Sequence, residues 1–178
     1  QRIIGSGGFS DVYLYQQEMP RRPVAVKVLN SADLDERTIR TFQDEANTMA
    51  RLADHRNIVA VQSAGITPDG RPYMVMAYYP PPDMANVAAL LRIGIQLAGA
   101  VETAHKAGIL HRDIKPANIL LDKSVAPILI DFGIAGNTQN DHVDEDLGVS
   151  IPWSPPEVLD GRSNGSISSD IYSLGATL

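Results

Sequence analysis

The sequence predicts an α+β protein in two lobes, a strand-rich N-terminal lobe holding one helix and a mainly helical C-terminal lobe. Three observations predict it. Up to Leu29 the apolar residues come in short β-branched and aromatic runs broken by Gly, Ser and Pro, the habit of strands. Helical three- and four-residue spacing occurs once in the first half, around Phe42, and prevails after Asn86. Between the two regimes stands YYPPP at 78–82, which neither a helix nor a central strand accommodates, so it reads as a hinge. The expected division is 1–79 and 80–178.

The elements follow in order. QRIIGSGGFSDVYLYQ (1–16) reads as two strands around a Gly/Ser turn, and RPVAVKVL (22–29) as a third. DLDERTIRTFQDEANTMARLAD (33–54) reads as a helix, because Ile39, Phe42, Ala46 and Met49 fall on one stripe and Ser31 or Asp33 can cap it. NIVAVQSAGI (57–66) and RPYMVMAYY (71–79) are strands joined by the turn sequence TPDG. VAALLRIGIQLAGAVETAHKAG (87–108) is a long amphipathic helix closed by Gly108. ANILLD (117–122) and APILIDF (126–132) are short apolar strands about a turn. A polar segment runs from Gly136 to Gly148, and DIYSLGATL (170–178) opens a last helix.

Composition excludes several classes. The 21 acidic and 15 basic residues leave a net charge of -6, which argues against a bulk nucleic-acid binder. The chain has no cysteine, so it has neither a disulfide framework nor a thiolate zinc site, as suits a reducing compartment. No signal-peptide pattern opens it. The most apolar stretch, VAALLRIGIQLAGAV (87–101), contains Arg92 and Gln96 and is too short for a bilayer. A cytoplasmic location is expected for this segment, with room for a membrane anchor beyond either end.

Four groups of residues carry chemistry. Gly5 and Gly7 sit in a turn between strands, where the missing Cβ lets backbone approach a phosphate; the bland alternative is a plain hairpin. A dinucleotide site would need a helix directly after the glycines, and VYLYQ follows instead. Lys27 lies inside an apolar strand, so it either snorkels from an edge or meets a buried anion; Glu45, beside the apolar stripe of its helix, is the candidate. HRDIKPANILLD (111–122) concentrates His111, Arg112, Asp113, Lys115 and Asn118 before an apolar strand, with Asp113 suited to a base, Lys115 to a phosphate clamp and Asn118 to a metal. Asp131 ends another apolar strand, as a metal ligand or a turn-initiating Asp.

Together and in this order these motifs resemble the eukaryotic-type (Hanks-type) protein kinase superfamily. The resemblance rests on GSGGFSDV (5–12), VAVK (24–27), Glu45, HRDIKPAN (111–118), DFG (131–133), PPE (155–157) and DIYSLG (170–175), spread over nearly the whole chain. The IKPAN form with Lys115 is similar to the serine/threonine branch, and AGILHRDIKPANILL and SIPWSPPEVL look most like bacterial, especially actinobacterial, members. The resemblance implies a bilobal kinase-like fold and an ATP-dependent protein serine/threonine kinase using magnesium, or manganese in its place. The backbone of Gly5, Ser6, Gly7, Gly8, Phe9 and Ser10 is then expected to cover the ATP phosphates. Lys27, oriented by Glu45, is expected to hold the α- and β-phosphates, and Asp131 and Asn118 the metal. Asp113 meets the substrate hydroxyl, and Lys115 offsets the charge of the transferring group. Met76 backs the adenine pocket, Ala77 and Tyr79 bond the base through backbone, and Val12, Ala25 and Leu120 sandwich it. His111 packs under Phe132 in a stack with Met49 and Val61, Asp170 holds the HRD backbone, and Ser150 stands beside Asp113 and Lys115.

The sequence also departs from the pattern. Ser10 replaces the third glycine, Ala77 an acidic hinge residue, and HRN (55–57) the commoner His-Pro-Asn. The stretch around 84–90 looks short, and the chain ends inside a helix, so a partial catalytic domain is expected. Arg112 implies a phosphorylated activation segment, yet Thr138 is the only hydroxyl residue between DFG and Ser150, and Asp141, Asp144, Glu145 and Asp146 crowd the same stretch. One of these carboxylates on Arg112 would partly replace a phosphate. The implied partners are ATP, protein substrates with Ser or Thr acceptors, and a second copy in autophosphorylation. A pseudokinase acting as a nucleotide-binding or scaffolding module, or a fragment inactive by itself, is the alternative. A small-molecule phosphotransferase is disfavoured by DIKPAN and SIPWSPPE.

Overall fold

A computed structural model of the chain describes residues 2–7, 10–30, 36–80, 87–132 and 150–178, without the side chains of 87–89. Two compact units result: Gln1–Asp54 with Val59–Tyr78, and His55–Ile58 with Tyr79–Leu178.

The first unit is a five-stranded antiparallel sheet with one helix, in the order β1-β2-β3-β5-β4. Its strands are β1 (Arg2–Ser6), β2 (Ser10–Gln17), β3 (Arg22–Leu29), β4 (Val61–Ile66) and β5 (Pro72–Ala77). The β-branched run of β3 takes the centre, paired on both sides, while Pro72 keeps to the first position of β5, where its missing N–H costs little. Lys27 lies opposite Val12 on β2 and Met74 on β5, and Ala25 opposite Leu14 and Met76. Paired residues share a face, so Val12, Ala25, Lys27, Met74 and Met76 line the same side of the sheet. The helix α1 (Glu36–Arg51) packs against β4 and β5 through Phe42, Ala46 and Met49, each buried. A fully buried side chain of this size contributes about 1.5–3 kcal/mol. The caps expected at Ser31 or Asp33 lie outside the described residues.

Residues 55–58, assigned by the sequence to the first lobe and in part to a strand from Asn57, belong with the second unit. Backbone pairing decides this. The Asn57 carbonyl accepts from Leu129 N at 2.8 Å, its side-chain amide donates to the Pro127 carbonyl at 2.7 Å, and Ile58 bridges Leu129 in parallel.

The second unit opens on α2 (Val87–Lys106). Gly108, at φ +75°, ends it as expected: Gly108 N–H returns to His105 O and Ile109 N–H to Ala104 O, both at 2.9 Å, satisfying carbonyls the helix leaves over. A single 3-10 turn (Pro116–Asn118) leads into β6 (Ile119–Leu121), paired with β7 (Pro127–Leu129). A second such turn (Ile151–Trp153) precedes α3 (Pro156–Leu159) and α4 (Ile167–Thr177). The last helix begins at Ile167 rather than at Asp170, because Ser166 and Ser169 cap it reciprocally, side chain to backbone, at 3.1 Å each. Among the described residues no helix is long and apolar enough to cross a membrane.

Candidate active site

In the first unit the Lys27 ammonium donates to Glu45 Oε1 at 2.7 Å. The side chains are only 13% and 7% exposed, so neither snorkels and the solvated alternatives for both residues fall away. Strand β3 aims Lys27 at the helix, and Glu45 occupies the helix stripe among Phe42, Ala46 and Met49. Upstream, Gly7 N–H closes a turn onto Ser10 O at 2.9 Å, and Ser6 Oγ bonds Asp11 Oδ1 at 2.6 Å. A Cβ built on Gly5 would stand 3.7 Å from Val12 and one on Gly7 3.6 Å from Ser10 O, both ordinary contacts. The fold by itself therefore does not require glycine at either position. Gly8 and Phe9 lie outside the described residues. Ala25 and Met76 are buried, and Val12 and Ala77 are half-buried.

In the second unit Asp113 has three side-chain partners. Ser150 Oγ donates to its Oδ1 at 2.8 Å, and Lys115 Nζ and Asn118 Nδ2 reach its Oδ2 at 2.8 and 2.9 Å. Lys115 also donates to Ser150 Oγ at 2.8 Å, so ammonium, hydroxyl and carboxylate form one closed triangle. Pro116 at the first position of the 3-10 turn has no N–H to lose there, and that turn brings Asn118 back onto Asp113. Asn118 Nδ2 donates as well to the Asp113 carbonyl at 2.8 Å. Its amide orientation is thereby set, and the amide oxygen is the end left to face a cation.

The loop carrying Asp113 is held from below. Asp170, on α4, accepts from His111 N–H and Arg112 N–H, each at 2.8 Å, and from His105 Nε2 at 2.8 Å. Arg112 stands at φ +66°, a left-handed conformation that costs a non-glycine residue about 1–2 kcal/mol and needs such an anchor. Burial lowers the Arg112 pKa, and the charge of Asp170 opposes that shift. Burial also lowers the His111 pKa, against the charges of Asp170, Asp113 and Asp131 and the hydrogen bond to Ile130. The neutral ring then uses both nitrogens: Nε2 donates to the Ile130 carbonyl at 3.0 Å and Nδ1 accepts from Asp113 N–H at 3.3 Å. Phe132 packs on this ring at 4.7 Å between centroids.

Asp131 directly precedes Phe132 and stands at φ +50°, left-handed like Arg112 and Val125 in this unit. Among the described residues no three His, Cys, Asp or Glu side chains converge on one point. Amide and carboxylate oxygens, such as those Asn118 and Asp131 carry, are hard donors of the kind that suit magnesium. Leu120, in β6, and Tyr79 are half-buried. Burial first, then the charge of Asp122, raises the Tyr79 phenol pKa. Thr138 and the acids Asp141, Asp144, Glu145 and Asp146 lie outside the described residues.

Sequence reasoning missed His105 and Gly165. Gly165, at φ +105°, lies so close to Arg112 that a Cβ there would meet Arg112 Cγ at 3.1 Å. Neither carries a local signal, since their partners stand far along the chain.

The protein kinase domain family model matches residues 1–178. The serine/threonine-protein kinase PknK of Mycobacterium tuberculosis (strain ATCC 25618 / H37Rv) is 43% identical over 185 residues, covering 98% of this chain and 16% of that protein. PrkC of Bacillus subtilis (strain 168), a serine/threonine-protein kinase, is 36% identical, with 99% of this chain and 29% of that protein covered. The probable serine/threonine-protein kinase CPE1738 of Clostridium perfringens (strain 13 / Type A) is 34% identical, with 99% and 27% covered. The chain thus spans less than a third of the length of each of these relatives.

Proposed function

The chain belongs to the protein kinase domain family over residues 1–178, and from that premise we propose that it transfers the γ-phosphoryl group of ATP to serine and threonine hydroxyls of protein substrates. Members of the family use ATP and magnesium. One observation carries the reading: the partly exposed Asp113 carboxylate is bonded by the Lys115 ammonium, the Ser150 hydroxyl and the buried Asn118 amide. Phosphoryl transfer has a loose transition state and asks for positioning and charge neutralisation more than for covalent help. The cluster supplies both.

In this reading Asp113 orients the acceptor hydroxyl and takes its proton, and the bond its Oδ1 already accepts from the Ser150 hydroxyl supports it. Lys115, already bonded to both groups, balances the charge of the group in transfer. Asn118 and Asp131 are the residues that would hold the metal, which supplies neutralisation of the phosphate oxygens when bound. With its nitrogen on Asp113, the Asn118 amide presents oxygen, as a hard cation requires. The first unit supplies Lys27, steadied by Glu45, for the α- and β-phosphates, the glycine turn for phosphate cover, and Val12, Ala25, Met76 and Ala77 for the base. The second adds Tyr79 and Leu120. A cytoplasmic location, where ATP is supplied, and transfer between two copies in autophosphorylation complete the proposal.

The test is transfer of labelled phosphate from ATP by the full-length protein, wild type beside Asp113→Asn, Lys27→Met and Asp131→Asn. Asp113→Asn is expected to keep nucleotide affinity and lose rate, and the other two to lose turnover with weakened ATP or metal binding. Equal labelling by all four proteins sinks the site assignment. Phosphoamino-acid analysis that finds mainly phosphotyrosine sinks the serine/threonine assignment.

A further inference from the structure

Strand β3 ends at Leu29, paired with Ser10 at the start of β2. The next residue, Asn30, is exposed, and its side-chain Nδ2 donates to the Gly7 carbonyl at 3.1 Å, across 23 residues of sequence. Gly7 is thereby held through both of its peptide groups, since its N–H already bonds Ser10 O at 2.9 Å. Among the described residues the turn is also tied by Ser6 Oγ to Asp11 Oδ1 at 2.6 Å and by the pairing of Ser6 with Asp11, both within its own two strands. It hangs between β2 and β1; β1 is an edge strand, largely exposed, whose pairing shifts register between Ile3 and Gly5. Among the described residues Asn30, directly after the central strand, is the side chain that bonds the turn from outside its own two strands, and that central strand carries Lys27.

We infer that Asn30 is a positioning residue for nucleotide phosphate: its amide fixes the height of the glycine turn relative to Lys27, so that turn and ammonium address the phosphates in a set spacing. The inference rests on the kinase reading above. An exposed amide-to-carbonyl bond contributes little to global stability, because water replaces it on either side. Its loss instead widens the range of turn positions, which the bound nucleotide must narrow again. The cost falls on binding of phosphate-bearing ligands and not on the bond-making step.

The experiment uses the full-length protein, wild type beside Asn30→Ala and Asn30→Gln, with Lys27→Met as reference. Three quantities are read: affinity for ATP, ADP and adenosine by competition against a fluorescent ATP analogue; KM for ATP and kcat; and Tm without nucleotide. Asn30→Ala is expected to weaken ATP and ADP about three- to tenfold, the range of one such hydrogen bond, and to raise KM in step. Adenosine affinity, kcat and Tm should stay within about twofold or a degree of wild type. Asn30→Gln keeps the donor and should recover most of the loss. Equal ATP affinity in wild type and Asn30→Ala overturns the inference alone, provided wild type binds ATP and Lys27→Met binds it more weakly. An equal loss for adenosine, or a loss that tracks a falling Tm, overturns it in favour of a structural role. No nucleotide binding by wild type overturns the kinase reading itself.

Discussion

Two carboxylates of the second unit, Asp170 and Asp113, each collect three donors, and they collect different kinds. Asp170 takes two backbone N–H groups and a histidine, and its side chain is 1% exposed. Asp113 takes a hydroxyl, an ammonium and an amide, all on side chains, and is 28% exposed. Backbone donors cannot leave without unfolding the loop, whereas side-chain donors rotate away at the cost of one hydrogen bond. Asp170 is therefore a fastener, and Asp113 a group whose partners can exchange, as the role proposed for it requires. The difference between scaffold and reactive group lies in who donates, and the number of donors does not reveal it.

Replacing the carboxylate proposed to react, Asp113, is the most direct way to break that contrast. Asp113→Asn keeps the shape and removes the proton acceptor, so kcat should fall about 10²–10⁴-fold. Tm should move by no more than about 2–4 °C, since only exchangeable side-chain bonds change. A large fall in Tm would make Asp113 a fastener too. Asp170→Ala comes next. It strands the buried N–H of His111 and the partly buried N–H of Arg112, at about 1–3 kcal/mol each and less for the second. A loss of about 3 kcal/mol, or roughly 6–12 °C in Tm for a chain of this size, is expected together with a loss of rate. Asp170→Ala with unchanged thermal unfolding would remove the basis for calling it structural.

The same contrast explains what the sequence made legible. Asp113, Lys115 and Asn118 stand within one short loop, and Lys27 and Glu45 sit on strongly patterned elements, so motif and periodicity reach them. Helix α2 and its Gly108 terminus are local too, set by spacing and one left-handed residue. Asp170 donates nothing to that local pattern: its role follows from a fold that brings α4 under residues 111 and 112, and only the family resemblance suggested it. His105 and Gly165 had no such guide, and the structure alone brings them to Asp170 and Arg112. The strip 55–58 was misplaced for a related reason. Its apolar run suits a strand of the first sheet, but the backbone of Asn57 and Ile58 pairs with Leu129 in β7. Nothing within five residues of Asn57 announces a partner more than 60 residues away, as the 70-residue gap to Pro127 shows.

Gly165→Ala sharpens the comparison from a distance. It puts a Cβ at φ +105° and against Arg112 Cγ, next to the backbone that Asp170 holds. A left-handed non-glycine residue costs about 1–2 kcal/mol, so Tm should drop by about 2–8 °C. Rate should fall less than in Asp170→Ala, because both backbone bonds to Asp170 survive. A rate loss matching Asp170→Ala would mean that the Arg112 side chain, and not its N–H, positions Asp113.

A third carboxylate provides the smallest and most discriminating effect. Asp122, in the turn between β6 and β7, also has three donors: Ser124 N–H at 2.7 Å, Ser124 Oγ at 2.6 Å and Ala126 N–H at 2.9 Å. Unlike Asp170 it stands near water. The Ser124 hydroxyl and then the Ala126 N–H hold its pKa below the ordinary carboxylate value. The folded pKa is the lower one, so its contribution to stability is complete above the unfolded value of about 3.9 and is lost as pH falls through the folded value. Solvent screens the charge and can replace each bond, so Asp122→Ala should cost about 1 kcal/mol or less, roughly 2–4 °C. Asp122→Asn, which keeps an acceptor oxygen for the turn, should cost less still. Urea unfolding at a series of pH values measures it: the gap between wild type and Asp122→Ala should stay constant from about pH 8 to pH 5 and narrow below about pH 4. A gap that persists unchanged at lower pH would mean the turn does not depend on the ionised carboxylate. A gap as large as that of Asp170→Ala would show that donor number governs all three carboxylates, and that burial does not separate the fastener from the others.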